Sequence, residues 1–124
     1  MKNFFLIMFA VLICSVSKAQ EIGTCSMSDG WLKVEGVNGN TIYSGSASGD
    51  LMAYSSKIIV TQRSGDTYVY TVIGGNLKML FGGNLPKGTV VNASGTSFFT
   101  KSGSDNCKYT IRDGECYWEY CRNY

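Results

Sequence analysis

The chain has 124 residues, a formal net charge of +2 and no histidine. The missing histidine excludes Ser-His-Asp and Cys-His nucleophilic centres and histidine-ligated metal sites. A small net charge dispersed along the sequence argues against nucleic acid or an anionic membrane surface as the partner. The cysteine spacing has no pair of Cys-x-x-Cys elements, and the Gly-rich segments do not lead into a helix. We therefore expect no metal and no cofactor.

The N-terminal residues have the pattern of a secretory signal peptide. Lys2 precedes an apolar run over residues 4–16, and the small residues Ser17 and Ala19 stand just before Gln20. The apolar run is too short to span a bilayer, and small residues are what a signal peptidase reads at these positions. We predict that residues 1–19 are removed and that residues 20–124 form a single domain, secreted or periplasmic, with no membrane span.

Removing this segment changes both the charge and the cysteine count. Lys2 and Lys18 are lost, which leaves nine Lys/Arg against nine Asp/Glu. Cys14 is lost as well, and we expect no lipid anchor on it because the large, branched Ile13 precedes it. Four cysteines remain in a chain predicted to mature in an oxidising compartment, so we expect two disulfides.

After residue 20, short runs rich in Val, Ile, Tyr, Thr and Phe alternate with Gly, Asn, Ser and Asp. This pattern predicts an all-β domain, a small antiparallel barrel or sandwich of about eight or nine short, disulfide-stabilised strands. The predicted strands are 31–35, 41–44, 57–63, 67–73, 77–81, 89–93, 97–101, 107–112 and 116–121. Residues 51–56 are the one stretch predicted to hold a helical turn, and residues 82–84 are predicted to be a turn.

The last hairpin can be predicted residue by residue. Asp113-Gly114 suits a two-residue turn, in which both positions need a positive φ. Arg112 then faces Glu115, and the pairing continues outward along both strands. Further pairs are Ile111 with Cys116, Thr110 with Tyr117, Tyr109 with Trp118, and Lys108 with Glu119. This register places Tyr120 on the apolar face with Tyr109, and Tyr117 on the polar face.

The same hairpin limits the disulfide pairing. Cys116 and Cys121 lie five residues apart on one strand, about 16 Å, which is too far for a bridge. Cys107 and Cys121 lie near each other at the open end, and a bulge or frayed end would let them meet. We therefore predict Cys107–Cys121 and, by pairing the remaining thiols, Cys25–Cys116.

The remaining chemistry favours binding over catalysis. Eight tyrosines and two tryptophans are present, and these residue types are enriched where proteins contact partners. Most of the tyrosines are explained as half-buried strand residues. Tyr117 lies on the polar face, where packing does not require an aromatic ring. Tyr117 and Tyr124 are therefore the candidate contact residues of a non-enzymatic protein that binds a protein or glycan partner through a sheet surface.

Two other functions fit the same composition. One is a secreted or periplasmic inhibitor or immunity-type protein that blocks an enzyme or toxin. The other is a carboxylate-dependent hydrolase, since glycoside hydrolysis needs only two acids about 5–10 Å apart. Asp113, Glu115 and Glu119 are close enough in sequence to supply them. The sequence specifies neither the partner's identity nor an oligomeric state.

Overall fold

The computed structural model describes residues 19–84 and 88–123, which form eleven antiparallel strands and no helix. The all-β prediction is confirmed, and the nine predicted strands correspond to β2, β3 and β5 to β11. Residues 1–18 of the predicted signal peptide lie outside the described residues. The strands are β1 Ile22–Ser28, β2 Trp31–Gly36, β3 Thr41–Ser46, β4 Asp50–Tyr54, β5 Ile59–Arg63, β6 Asp66–Ile73, β7 Asn76–Asn84, β8 Thr89–Ser94, β9 Ser97–Ser102, β10 Asp105–Arg112 and β11 Glu115–Asn123.

Two strands were not predicted from the sequence. The helical turn predicted at 51–56 is wrong, because β4 runs through most of this stretch and pairs with β5, with Tyr54 opposite Ile59. β1 consists mostly of small residues, yet its burial alternates along the strand as a half-covered strand requires. In both cases pairing with a neighbouring strand sets the conformation, which residue preference alone does not reveal.

The predicted turns divide into one that forms and one that does not. Asp113 and Gly114 have φ values of 52° and 76°, so the left-handed two-residue turn of the last hairpin is present. Residues 82–84, predicted to be a turn, instead extend β7, with Gly82 opposite Tyr68. A Cβ at Gly82 would come within 2.8 Å of the Met79 sulfur and 3.3 Å of the Tyr68 ring, so this glycine leaves room for both side chains.

The strands form three sheets, ordered β1-β2-β3, β4-β5-β6-β7 and β8-β9-β10-β11, and the β4–β7 sheet shares one buried cluster with each of the other two. The β4–β7 sheet is the central layer and is covered on both faces. Ile59 packs in a cluster with Leu32 and Val34 of the first sheet, whereas its neighbour Val60 packs with Phe98 and other residues of the third. A strand buried on both faces needs a continuous apolar run, which explains Ile58-Ile59-Val60.

Side chains also join the central sheet to the β8–β11 sheet. The Gln62 side chain accepts a hydrogen bond from the buried Val90 amide at 2.8 Å, and its Nε2 donates to the Thr67 hydroxyl at 3.0 Å. At another point between these sheets, the Ser55 hydroxyl donates to the Gly95 carbonyl at 2.6 Å. These bonds hold the third sheet with one face on the core and the other facing solvent.

Candidate functional site

The solvent-facing side of the β8–β11 sheet, called here the outer face, contains the predicted contact residue Tyr117. Its side chains alternate along β10 with Cys107, Tyr109 and Ile111, which are buried in the core. Directly paired residues on neighbouring strands point to the same face of a sheet. The outer face is therefore crossed by three rows, Lys101–Asn106–Arg122, Phe99–Lys108–Tyr120 and Ser97–Thr110–Tyr117.

Tyr117 lies at the end of the third row with its side chain in solvent. Its hydroxyl donates a hydrogen bond to Glu115 Oε2 at 2.9 Å, and the Arg112 guanidinium lies 4.6 Å from its ring centre. The hydrogen bond to Glu115 is the largest cause of a raised pKa for the Tyr117 phenol, followed by the charge of that carboxylate. Arg112 also forms an ion pair with Glu119 at 3.6 Å.

Tyr120 is a site residue that the sequence placed on the wrong face. Glu119 is an extra residue in β11, so Tyr120 rather than Glu119 lies opposite Lys108. This β-bulge turns Tyr120 to the outer face and overturns the predicted Lys108–Glu119 pair. The Arg122 guanidinium lies 4.9 Å and the Lys108 ammonium 6.0 Å from the Tyr120 ring centre.

Trp118 is the largest exposed aromatic side chain of β11. It lies opposite Tyr109, as predicted, and therefore points to the core side of the sheet. Because β11 is the last strand of its sheet, the indole is still 61% exposed. Its Nε1 donates a hydrogen bond to the Cys121 sulfur at 3.1 Å. The other predicted contact residue, Tyr124, lies outside the described residues.

The cysteines form one of the two predicted bonds. Cys107 and Cys121 are joined by a disulfide with their Cα atoms 4.0 Å apart. The predicted Cys25–Cys116 bond is wrong, and both thiols are free. Cys25 packs against the cluster between the first and central sheets, whereas Cys116 packs against the cluster between the central and third sheets. The central sheet therefore separates the two sulfurs.

The carboxylates proposed for hydrolysis have structural partners. Glu115 accepts the Tyr117 hydrogen bond, and Glu119 pairs with Arg112. Across residues 19–84 and 88–123, no group of three or more Cys, Asp or Glu residues is arranged to hold a metal ion. A shallow cleft of about 450 Å³ lies between β4, β5 and the start of β8, and Asp50, Gln62 and Thr89 are among its lining residues.

Comparisons with known proteins assign no family to this chain. No protein-family model matches it, and no curated protein sequence matches it either. Its described ranges contain no helix that is both long and apolar enough to cross a membrane.

Proposed function

We propose that this is a secreted or periplasmic, non-enzymatic protein that binds a protein or glycan partner through the outer face. The observation that carries the proposal is the pair Tyr117 and Tyr120, two half-exposed aromatic rings on one sheet face, each contacted by a guanidinium. Aromatic and arginine side chains are the types that supply most binding energy at protein interfaces. The Cys107–Cys121 disulfide supports maturation in an oxidising compartment.

The arrangement of polar groups also fits binding. The Tyr117 hydroxyl is held by Glu115 and the Arg112 guanidinium by Glu119, so these side chains are partly ordered before a partner binds. Less side-chain freedom is then lost on association. A hydrolytic function would need one of the two glutamates to act as a general acid, whereas both are engaged by donors or cations on the outer face.

A matched pair of tyrosines makes the test specific. Tyr117 and Tyr54 have the same exposed fraction, 38%, but Tyr54 lies on β4, outside the outer face. We expect immobilised protein to bind members of a glycan panel, or a stoichiometric partner from the native host's exported fraction, in a saturable manner. Tyr117→Ala should weaken that binding about tenfold or more, as truncation of an interface anchor does, and Tyr54→Ala should not.

Each outcome has a defined meaning. Equal loss in both variants, or no saturable binding by the wild-type protein, contradicts the proposal. A single protein partner whose own enzymatic or toxic activity is blocked identifies the inhibitor function. Turnover of a glycoside that Glu115→Gln or Glu119→Gln abolishes replaces binding with hydrolysis as the function.

A further inference from the structure

Three cations that are distant in sequence lie together at one end of the outer face. Lys101 of β9 and Arg122 of β11 flank Asn106 in the same row, and Lys108 is the next outward residue along β10. Paired strands lie about 4.8 Å apart, and outward residues on one strand about 7 Å apart. The three long side chains can therefore reach a single anionic group above Asn106. We call Lys101, Lys108 and Arg122 the basic corner.

The two glutamates of β11 lie outside the basic corner, and each is engaged by a neighbour. Glu115 adjoins the Asp113-Gly114 turn and accepts the Tyr117 hydroxyl, whereas Glu119, the bulge residue in the middle of β11, pairs with Arg112 at 3.6 Å. Asp105 is next to the basic corner, but it alternates with Asn106 and shares the side of Cys107. The outer face thus gathers three cations at one end, although the predicted mature chain is neutral.

We infer that the basic corner binds the carboxylate or sulfate groups of an acidic polysaccharide. This inference rests on the proposed binding function and names the partner's chemistry. Arg122 and Lys108 are both held near the Tyr120 ring, which limits their motion and favours a fixed anion site. Charge-assisted hydrogen bonds from such cations to carboxylate or sulfate oxygens are stronger than hydrogen bonds between neutral groups.

The remainder of the face favours a sugar chain over other polyanions. Phe99 and Tyr120 border Lys108 with apolar surface, and the Ser97 and Thr110 hydroxyls, 2.8 Å apart, offer polar groups to sugar hydroxyls. A nucleic acid carries one negative charge at every backbone unit, so it would be repelled where it crossed Glu115 and Glu119. An acidic polysaccharide can place a charged sugar at the basic corner and neutral ones beyond it.

The test compares defined polymers at low and moderate salt. Hyaluronate and keratan sulfate, in which a charged sugar alternates with a neutral one, are the acidic probes, neutral dextran is the uncharged control, and polyglutamate and single-stranded DNA are the competing polyanions. We expect wild-type protein to bind at least one acidic polysaccharide and not dextran, with affinity falling as salt rises. Polyglutamate and single-stranded DNA should bind at least tenfold more weakly.

A charge-matched pair of variants locates the site. Lys108→Gln/Arg122→Gln should weaken polysaccharide binding about tenfold or more, because each lost charge-assisted contact contributes strongly. Lys57→Gln/Lys78→Gln removes the same charge from exposed residues outside the outer face and should leave binding within twofold. An unchanged urea midpoint and an intact Cys107–Cys121 bond in both variants show that folding is preserved.

The opposing results are equally specific. The inference is overturned by equal weakening in both double variants, by polyglutamate or DNA binding as tight as polysaccharide, or by no acidic polysaccharide bound at low salt. Suppose that no acidic polysaccharide binds but that a protein or neutral glycan does, and that Tyr117→Ala abolishes this binding. The proposed function then stands, and only the polysaccharide inference fails.

Discussion

Cys121 lies directly across from Cys107 because Glu119 is an extra residue in β11. The pairs from Arg112–Glu115 to Tyr109–Trp118 follow a regular register, and beyond the bulge Lys108 faces Tyr120. Without the extra residue's shift, regular alternation would turn Cys121 away from Cys107. One bulge therefore aligns the disulfide and brings Tyr120 to the outer face.

This role of Glu119 predicts an unusual tolerance to deletion. Deleting Glu119 should leave Tyr109 opposite Trp118 and Cys107 opposite Cys121 in a regular ladder, so the disulfide still forms. Deleting Trp118 instead should place Glu119 opposite Tyr109, at a position that is largely exposed, so we expect only the packing of the indole to be lost and no cost for burying a charge. Non-reducing peptide mapping and urea unfolding measure both effects. A deletion of Glu119 that abolishes the disulfide would contradict this account of the bulge.

The Cys107–Cys121 bond should contribute measurably to stability. It closes a loop with a sequence separation of 14, for which the chain-entropy argument gives about 3 kcal/mol. Cys107→Ala/Cys121→Ala should lower the free energy of unfolding by about this amount in urea titrations. Reductant should lower the wild-type midpoint and leave the variant's midpoint unchanged. A wild-type midpoint that does not respond to complete reduction would show that the bond adds nothing.

Gln62 should be needed for the attachment of β8. Its Oε1 is the acceptor for the Val90 amide, and Val90 is buried. Gln62→Leu leaves that amide without its acceptor and should cost about 1–3 kcal/mol in unfolding free energy. Gln62→Glu keeps an acceptor oxygen while removing the donor to Thr67, so it should be the milder change near neutral pH. The reverse order of the two variants would locate the stabilisation in the Nε2 bonds instead.

The two free thiols should react slowly and make stability fall at alkaline pH. Burial raises the pKa of Cys25 to about 12 and that of Cys116 to about 11, from 9.0. At pH 8 the Cys116 thiolate is then about a hundredfold scarcer in the folded than in the unfolded chain, so iodoacetamide should react correspondingly more slowly. Because the folded state favours the neutral thiols, their contribution to the free energy of unfolding is fully present below pH 9.0. It is lost as pH rises towards 11–12.

A double serine variant separates these thiols from other groups that titrate at high pH. Cys25→Ser/Cys116→Ser should lose stability less steeply between pH 9 and pH 11 than the wild-type protein does. Equal pH dependence in both proteins would contradict a role for the thiols, and fast native-state alkylation would contradict their burial.

The last hairpin shows how far sequence reasoning extends. Its turn and its first four pairs were predictable because Asp-Gly dictates a left-handed turn and the alternation of apolar residues dictates register. Prediction failed from Glu119 onward because a bulge depends on which residue the strand must pair with beyond it, here Cys107. Tyr120 was consequently missed as a surface residue, although the need to join Cys107 to Cys121 was a usable signal.

By itself the sequence determined the all-β class, nine of the strand positions and the Asp113-Gly114 turn, because local alternation and turn chemistry act over a few residues. It also identified Tyr117 as an aromatic residue on a polar face. Only the tertiary structure decided that Cys25 and Cys116 stay apart, since the central sheet lies between them. It alone gathered Lys101, Lys108 and Arg122, because cross-strand pairing unites residues that are distant along the chain.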